Sequence, residues 1–108
     1  MMYRPDTVLS AGEKMLKEHV SEALSLQIRE DLKHYDWQNG ALHGLHEVFD
    51  LLRDGSWPAT AKERDELCRR WECSARSLYQ WRRDVLFCVV AAVMETWVIE
   101  GLPTRLPT

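Results

Sequence analysis

The chain has 108 residues, a length that fits a single domain. Hydrophobic residues make up 45% of it, which is enough for a packed core and excludes a disordered chain. The formal net charge of −3 argues against nucleic-acid binding by the chain as a whole, because DNA-binding domains usually carry a basic excess.

The charge is unevenly distributed along the chain. Residues 1–57 carry 6 basic and 10 acidic side chains, and residues 85–108 carry 1 basic and 2 acidic side chains. Residues 58–84 carry 7 basic and 5 acidic side chains, a net charge of +2. The basic excess is confined to this one segment, and a dimer would double it.

We expect an all-α fold of about four helices in one domain, because no stretch shows the alternation of a half-buried strand. Residues 11–57 are predicted to form an N-terminal helical pair. Its first helix, residues 11–35, has apolar side chains at three- and four-residue steps. Ser10 is its expected N-cap, and Glu13 completes a capping box. The apolar stripe comprises Leu16, Val20, Ala23, Leu24, Ile28, Leu32 and Tyr35.

The second predicted helix covers residues 41–54, after a turn at Asn39 and Gly40. Gly55 is expected to end it, and a connector before Pro58 follows. Its expected buried face comprises Leu42, Leu45, Val48, Phe49 and Leu52.

A third helix is predicted for residues 60–71, because Thr60 and Glu63 form a second capping box. After a break at residues 72–74, Ser74 is the expected N-cap of a helix over residues 75–100. Gly101 is expected to end that helix, which leaves residues 101–108 as a loose tail.

The packing pattern of residues 66–83, ELCRRWECSARSLYQWRR, matches two short helices joined by a tight turn. Leu67 and Trp71 share one face of the first helix, and Cys68 is a small residue where the second helix would cross. Cys73 is expected to fill the turn as a small apolar plug. Leu78 and Trp81 form the inner face of the second helix.

This pattern resembles the helix-turn-helix of bacterial and phage regulators and of transposase-type DNA-binding domains, over residues 60–84. The resemblance implies that the outer face of the second helix enters the major groove of DNA. The DNA-binding residues that it implies are Arg69, Arg70, Ser74, Arg76, Ser77, Tyr79, Gln80 and Arg83.

Each implied contact has a chemical reason. Arg76 suits guanine and Gln80 suits adenine, because each side chain can form paired hydrogen bonds with that base. Ser74 and Arg83, with Arg69 and Arg70, are expected at phosphates. Tyr79 is expected to touch a phosphate or a thymine methyl group.

One position departs from the family pattern, which usually has glycine in the turn where this chain has Glu72. A non-glycine residue with positive φ is strained there by about 1 kcal/mol or more.

A two-helix corner packed by leucine and tryptophan also occurs in all-α proteins that bind no DNA. The arginines would then form a solvated face beside the acids of residues 63–72.

Residues 85–99 are apolar on almost every side, yet they are too few and include Glu95, so we do not expect a membrane span. Residues 85–100 are predicted to be a core helix, a dimer helix or both. Because so small a chain has few elements to cover such a helix, a homodimer is favoured.

We expect neither a metal site, a cofactor nor catalysis. His43 and His46 are three apart, but we place Glu47 on another face and interpret the two histidines as a surface pair. No phosphate loop, nucleophile elbow or H-E-x-x-H motif is present.

Three cysteines without C-x-x-C spacing favour a reducing cytoplasm, and we expect all three to be packed and unreactive. The opening residues show no secretory leader pattern.

Two functions from different classes follow. The first is a sequence-specific, dimeric DNA-binding regulator of phage or mobile-element type. The second is an acidic helical interaction module, such as a phage-type inhibitor that docks on a basic host protein acting on nucleic acids. Exposed Arg76, Gln80 and Arg83 on one face, unpaired with acids, would favour DNA.

Overall fold

A computed structural model of the chain describes residues 5–40 and 43–101. Within those ranges it contains helices and no strand, which confirms the all-α prediction with five helices rather than four. The helices are α1 Pro5–Glu18, α2 Glu22–Gln38, α3 Leu45–Arg53, α4 Ala61–Trp71 and α5 Ala75–Glu100. Most of the predicted tail, residues 102–108, lies outside the described residues.

The centre of the fold is α5, which contacts each of the other four helices. Leu78, Val85 and Val89 of α5 are fully buried and share one hydrophobic cluster with Met15 of α1 and Phe49 of α3. Burying each such side chain contributes about 1.5–3 kcal/mol to folding. The apolar helix predicted after the turn is therefore the core helix of the domain.

The first predicted helix, residues 11–35, was wrong in its extent, because the structure has two helices there. The helical path breaks at residues 19–21, and the Ser21 hydroxyl caps α2 by accepting a 3.1 Å hydrogen bond from the N–H of Leu24. The apolar spacing continues through the break, so the periodicity did not reveal it. The break separates α1, which packs mainly on α5, from α2, which packs mainly on α3.

The predicted N-cap at Ser10 was also wrong, because Ser10 lies inside α1. This helix begins at Pro5, whose fixed φ suits the first helical position, and Asp6 in the first turn complements the helix dipole. Glu13 closes no capping box and instead forms an ion pair with Arg82 of α5.

The predicted helix over residues 41–54 corresponds to α3, which is shorter. Val48 and Phe49 are fully buried as expected, whereas Leu42 lies outside the described residues. Gly55 follows the helix with a φ of 72°, the left-handed conformation expected of a glycine at a helix end.

The N-terminus of α3 is capped by a side chain from α2. The buried carboxylate of Asp36 accepts hydrogen bonds from the N–H groups of Leu45, at 3.1 Å, and His46, at 2.9 Å. A Cβ added to Gly44 would lie 2.7 Å from Asp36 Oδ1, so glycine is needed for this close approach. Asp36 thereby fixes how α2 and α3 pack.

Both ends of α4 are held by local hydrogen bonds. The Thr60 hydroxyl accepts from the N–H of Glu63 at 3.2 Å, as predicted, and the Glu63 carboxylate accepts from the N–H of Ala59. At the other end, Cys73 N–H donates to the Cys68 carbonyl and Glu72 N–H donates to the Arg69 carbonyl. The second pair of bonds is a Schellman motif.

Glu72 occupies the left-handed position of this motif, with φ 52° and ψ 46°. It is the one non-glycine residue with positive φ among residues 5–40 and 43–101. The turn therefore has the left-handed backbone conformation that glycine usually adopts in such motifs. Glu72 adopts the same conformation, which strains its backbone because it has a Cβ atom.

The last predicted helix is confirmed at both ends. The Ser74 hydroxyl accepts a 3.0 Å hydrogen bond from the N–H of Ser77, and Gly101 ends α5 with a φ of 75°. In the part of the chain that is described, no helix is long and apolar enough to cross a membrane.

The prediction that all three cysteines are packed was wrong for one of them. Cys68 is buried, and Cys73 is half-buried against the core at the turn. Cys88 is exposed, because it lies on the side of α5 that borders an open groove toward α2. All three are free thiols.

We predict that Glu72→Gly stabilises the protein by about 0.5–1 kcal/mol, because glycine adopts the left-handed conformation without a Cβ clash. Urea unfolding would measure the change in the free energy of unfolding. Glu72→Ala is the control, since it removes the same charge and keeps the Cβ atom. An equal gain in both variants would show that charge, and not strain, is the cause.

Candidate nucleic-acid interface

The corner, defined as α4, residues 72–74 and residues 75–83 of α5, is held together by apolar side chains. Leu67 and Cys68 of α4 and Leu78 of α5 are buried, as the motif predicts. The rings of Trp71 and Trp81 lie 6.5 Å apart at an angle of 43°, which closes the corner on one side. The packing residues are thus brought together as the sequence pattern indicated.

The outer face of α5 carries Arg76, Gln80 and Arg83, which share one side of the helix by their spacing. All three are exposed. Within the described residues, neither arginine has a carboxylate partner; Arg83 lies over the ring of Phe87, at 5.6 Å from its centre. The Gln80 amide donates a 3.2 Å hydrogen bond to Asp84.

Ser74 and Ser77 lie together at the start of α5. The Ser74 hydroxyl accepts the backbone bond that caps the helix and donates to Ser77 Oγ at 3.1 Å. The hydroxyl hydrogen of Ser74 is therefore already used in a hydrogen bond. Ser77 accepts that bond with its oxygen, so its own hydroxyl hydrogen can still be donated. Of the two, Ser77 is half-buried and Ser74 is exposed.

Tyr79 lies beside the outer face and is 48% exposed. Its ring is 6.4 Å from that of Trp57, in the connector between α3 and α4. A hydrogen bond with Tyr79, and next the carboxylate of Asp65, raise the pKa of Arg64. Tyr79 is therefore positioned by Trp57, which lies outside the motif, and by Arg64 of α4.

Arg69 and Arg70 are exposed in the last turn of α4, where positive charge complements the helix dipole. Arg70 borders a shallow cleft that also contains Glu63 and Glu66. Acidic residues flank these two arginines in the sequence of α4, but among the described residues neither arginine forms an ion pair.

The corner is tied to the rest of the domain through Arg82, which sequence reasoning missed. Arg82 forms an ion pair with Glu13 of α1 and lies over the ring of Trp57, 5.8 Å from its centre. Burial lowers the pKa of Arg82. The signal in the sequence was a tryptophan in a short connector, which needs a partner for its large apolar surface.

The two histidines at the start of α3 need a corrected interpretation, and one of them, His43, lies just before the helix and contacts the corner. Glu47 does not lie on another face, since its carboxylate is 2.7 Å from His43 Nδ1. His46 is not on the surface, since its side chain is 15% exposed and its Nδ1 lies 2.6 Å from Asp36. The His43 ring stacks on Trp71 at 5.3 Å.

Among the residues described, no group of three or more acids, histidines or cysteines could hold a metal ion.

The arrangement presents exposed guanidinium groups and a primary amide on a helix that follows a tight turn. Such groups form charge-assisted hydrogen bonds with phosphates and paired bonds with base edges.

No protein-family model matches the chain, and comparisons with curated proteins and with solved structures find no match either. The resemblance to helix-turn-helix domains rests on the residues of the corner.

Proposed function

We propose that the chain is a sequence-specific DNA-binding transcription regulator of phage or mobile-element type. The observation that carries the proposal is the outer face of α5. There Arg76 and Arg83 are exposed without carboxylate partners among the described residues, and Gln80 lies between them. A polyanion with readable base edges is the ligand that this combination fits best.

The proposed contacts differ in what they require. Arg76 is exposed and ready to pair with guanine. Gln80 can form both bonds to adenine only when its amide leaves Asp84, so its pairing replaces an existing hydrogen bond. Arg83, with Arg69 and Arg70, would hold phosphates and set the orientation of the helix on the duplex. Ser74 would also contact a phosphate once its hydroxyl hydrogen leaves Ser77.

The proposed regulator acts as a homodimer. Val98 and Ile99, near the C-terminal end of α5, are 65% and 79% exposed and offer apolar surface for a second copy. A two-fold dimer would double the local basic excess and match half-sites about one helical turn apart. The protein would act in the cytoplasm by occupying its site, with no cofactor and no catalytic step.

We predict that the full chain binds random duplex DNA at about 50 mM salt and loses most of that affinity at about 200 mM salt. The physical reason is the release of counterions when arginines contact phosphates. Fluorescence anisotropy with a labelled duplex measures both affinities. Complete absence of binding at low salt would exclude the DNA proposal and leave the acidic interaction module.

We predict that Arg76→Ala and Arg83→Ala weaken binding differently. On a duplex selected from a random pool, Arg76→Ala costs about 1–3 kcal/mol, and it changes binding to unselected duplex far less. Arg83→Ala weakens binding to both duplexes alike. It also lowers the slope of log affinity against log salt concentration by about 1, as expected for the loss of one phosphate contact.

The matched control for both variants is Lys17→Ala, which removes one exposed positive charge from α1, outside the corner. It should leave the preference for the selected duplex unchanged. Equal losses on both duplexes for Arg76→Ala and Arg83→Ala would refute the division between base and phosphate contacts.

We predict that the double variant Val98→Lys, Ile99→Lys is a monomer, because two added charges repel across the proposed dimer contact. Analytical ultracentrifugation measures the mass, and affinity for the selected duplex should fall with it. Glu100→Lys is the control, since it makes the same change in net charge at the neighbouring exposed residue. A wild-type chain that sediments as a monomer, alone and on DNA, would overturn the dimer.

A further inference from the structure

A groove lies between α2 and α5, and none of the eight implied DNA contacts lines it. Its volume is about 560 Å³. Ile28 and Leu32 of α2 are buried at its base, and Phe87 and Ala91 of α5 line the opposite wall. We name this feature the α2–α5 groove.

The α2–α5 groove is elongated along α5. The residues of α5 that line it are at positions 84, 87, 88, 91, 92 and 95. This spacing follows one side of a helix for about 16 Å, or three turns. An open, apolar channel of this length fits the apolar side of another helix, with anchors at i, i+3 or i+4, and i+7.

The wall on α5 contains small residues, which permits close approach of a second backbone. Cys88 and Ala91 are exposed and Ala92 is half-buried. On the other wall the ring of Tyr35 is 55% exposed, although sequence periodicity had placed it on a buried stripe. The groove therefore has apolar surface that no element among the described residues covers.

Among the described residues, every charged side chain that lines the groove is acidic. Asp31 comes from α2, and Asp84 and Glu95 come from α5, so carboxylates lie on both walls. Partial desolvation by the groove walls, and next the carboxylates of Asp84 and Asp31, raise the pKa of Cys88, whose side chain is still reached by solvent. The groove therefore disfavours an additional negative charge and favours a positive one.

We propose that the α2–α5 groove binds an amphipathic helix of a partner protein, with an apolar side seated in the groove and lysine or arginine at its borders. The apolar walls give the contact area, and the three carboxylates select a basic partner. A second copy of this chain fits poorly, because a two-fold contact through the groove would bring the carboxylates of both copies together. None of the eight implied DNA contacts lines this surface, although Asp84 of the groove also accepts the hydrogen bond from the Gln80 amide.

The test uses the full chain and two labelled synthetic peptides of about 16 residues, enough to span the groove. Both peptides are helical and have leucine at the same i, i+3, i+4 and i+7 positions. One carries lysine on its polar side and the other carries glutamate. Fluorescence anisotropy should show micromolar binding of the lysine peptide and binding at least about tenfold weaker for the glutamate peptide. Equal affinities would overturn the selection for a basic partner.

Two variants locate the site. Ala91→Arg places a long cationic side chain in the groove. It should lower the affinity for the lysine peptide at least about tenfold. Ala23→Arg is its control, since Ala23 is an exposed alanine of α2 outside the groove. Equal effects of the two variants would show that the peptide binds elsewhere. Circular dichroism verifies that both variants are folded.

The charge argument has its own pair of variants. Asp31→Asn with Glu95→Gln should reduce the preference for the lysine peptide over the glutamate peptide. Glu30→Gln with Glu100→Gln, two exposed acids outside the groove, should leave that preference unchanged. Equal effects of the two pairs would overturn the role of the groove carboxylates.

Alkylation of Cys88 gives a second readout, because Cys68 is buried and Cys73 is half-buried. The lysine peptide should slow alkylation of Cys88, measured by mass spectrometry, and the glutamate peptide should not. Self-association of the chain that protects Cys88 and is abolished by Ala91→Arg would instead identify a second copy as the occupant. That outcome would overturn the proposal of a separate partner.

Discussion

The buried side of α5 is the constraint on which the rest of the structure depends. From Leu78 to Val93 this side is in contact with all four other helices, so their positions follow from where they meet it. On α1, Gly12 permits a close approach to α5, since an added Cβ would lie 3.0 Å from the Leu86 carbonyl oxygen. Because the helix of the core continues into the corner, the outer face of α5 belongs to the helix that contacts all four others.

Local chemistry explains what could be predicted from the sequence. Thr60 and Ser74 cap their helices through residues three positions away, and Gly101 ends α5 through its own backbone. Each of these signals lies within one turn of the feature that it determines. The packing residues of the corner were likewise predictable, because Leu67 and Leu78 lie at fixed offsets from the turn.

The features that escaped prediction depend on residues distant in sequence. Asp36 caps α3 across nine and ten positions, and Arg82 meets Glu13 of α1, so neither pairing has a local pattern. The break at residues 19–21 escaped because the apolar spacing continues through it. The α2–α5 groove depends on how far apart two helices lie, which periodicity does not encode. The outward position of Arg76, Gln80 and Arg83 was predictable. The structure was needed to show that the two arginines have no carboxylate partner among the described residues and that Gln80 has one in Asp84.

The surface of α5 is divided by charge along its length, and this division would limit how DNA approaches in the proposed function. Arg76 and Arg83 make its N-terminal third positive, whereas Asp84 and Glu95 make the adjoining groove negative. Asp84 stands at the boundary, since it both holds the Gln80 amide and lines the groove. Phosphates would be repelled from the groove and attracted to the corner. A basic helix seated in the groove would neutralise Asp84 and loosen its hold on Gln80, which would link the two proposed surfaces through one carboxylate.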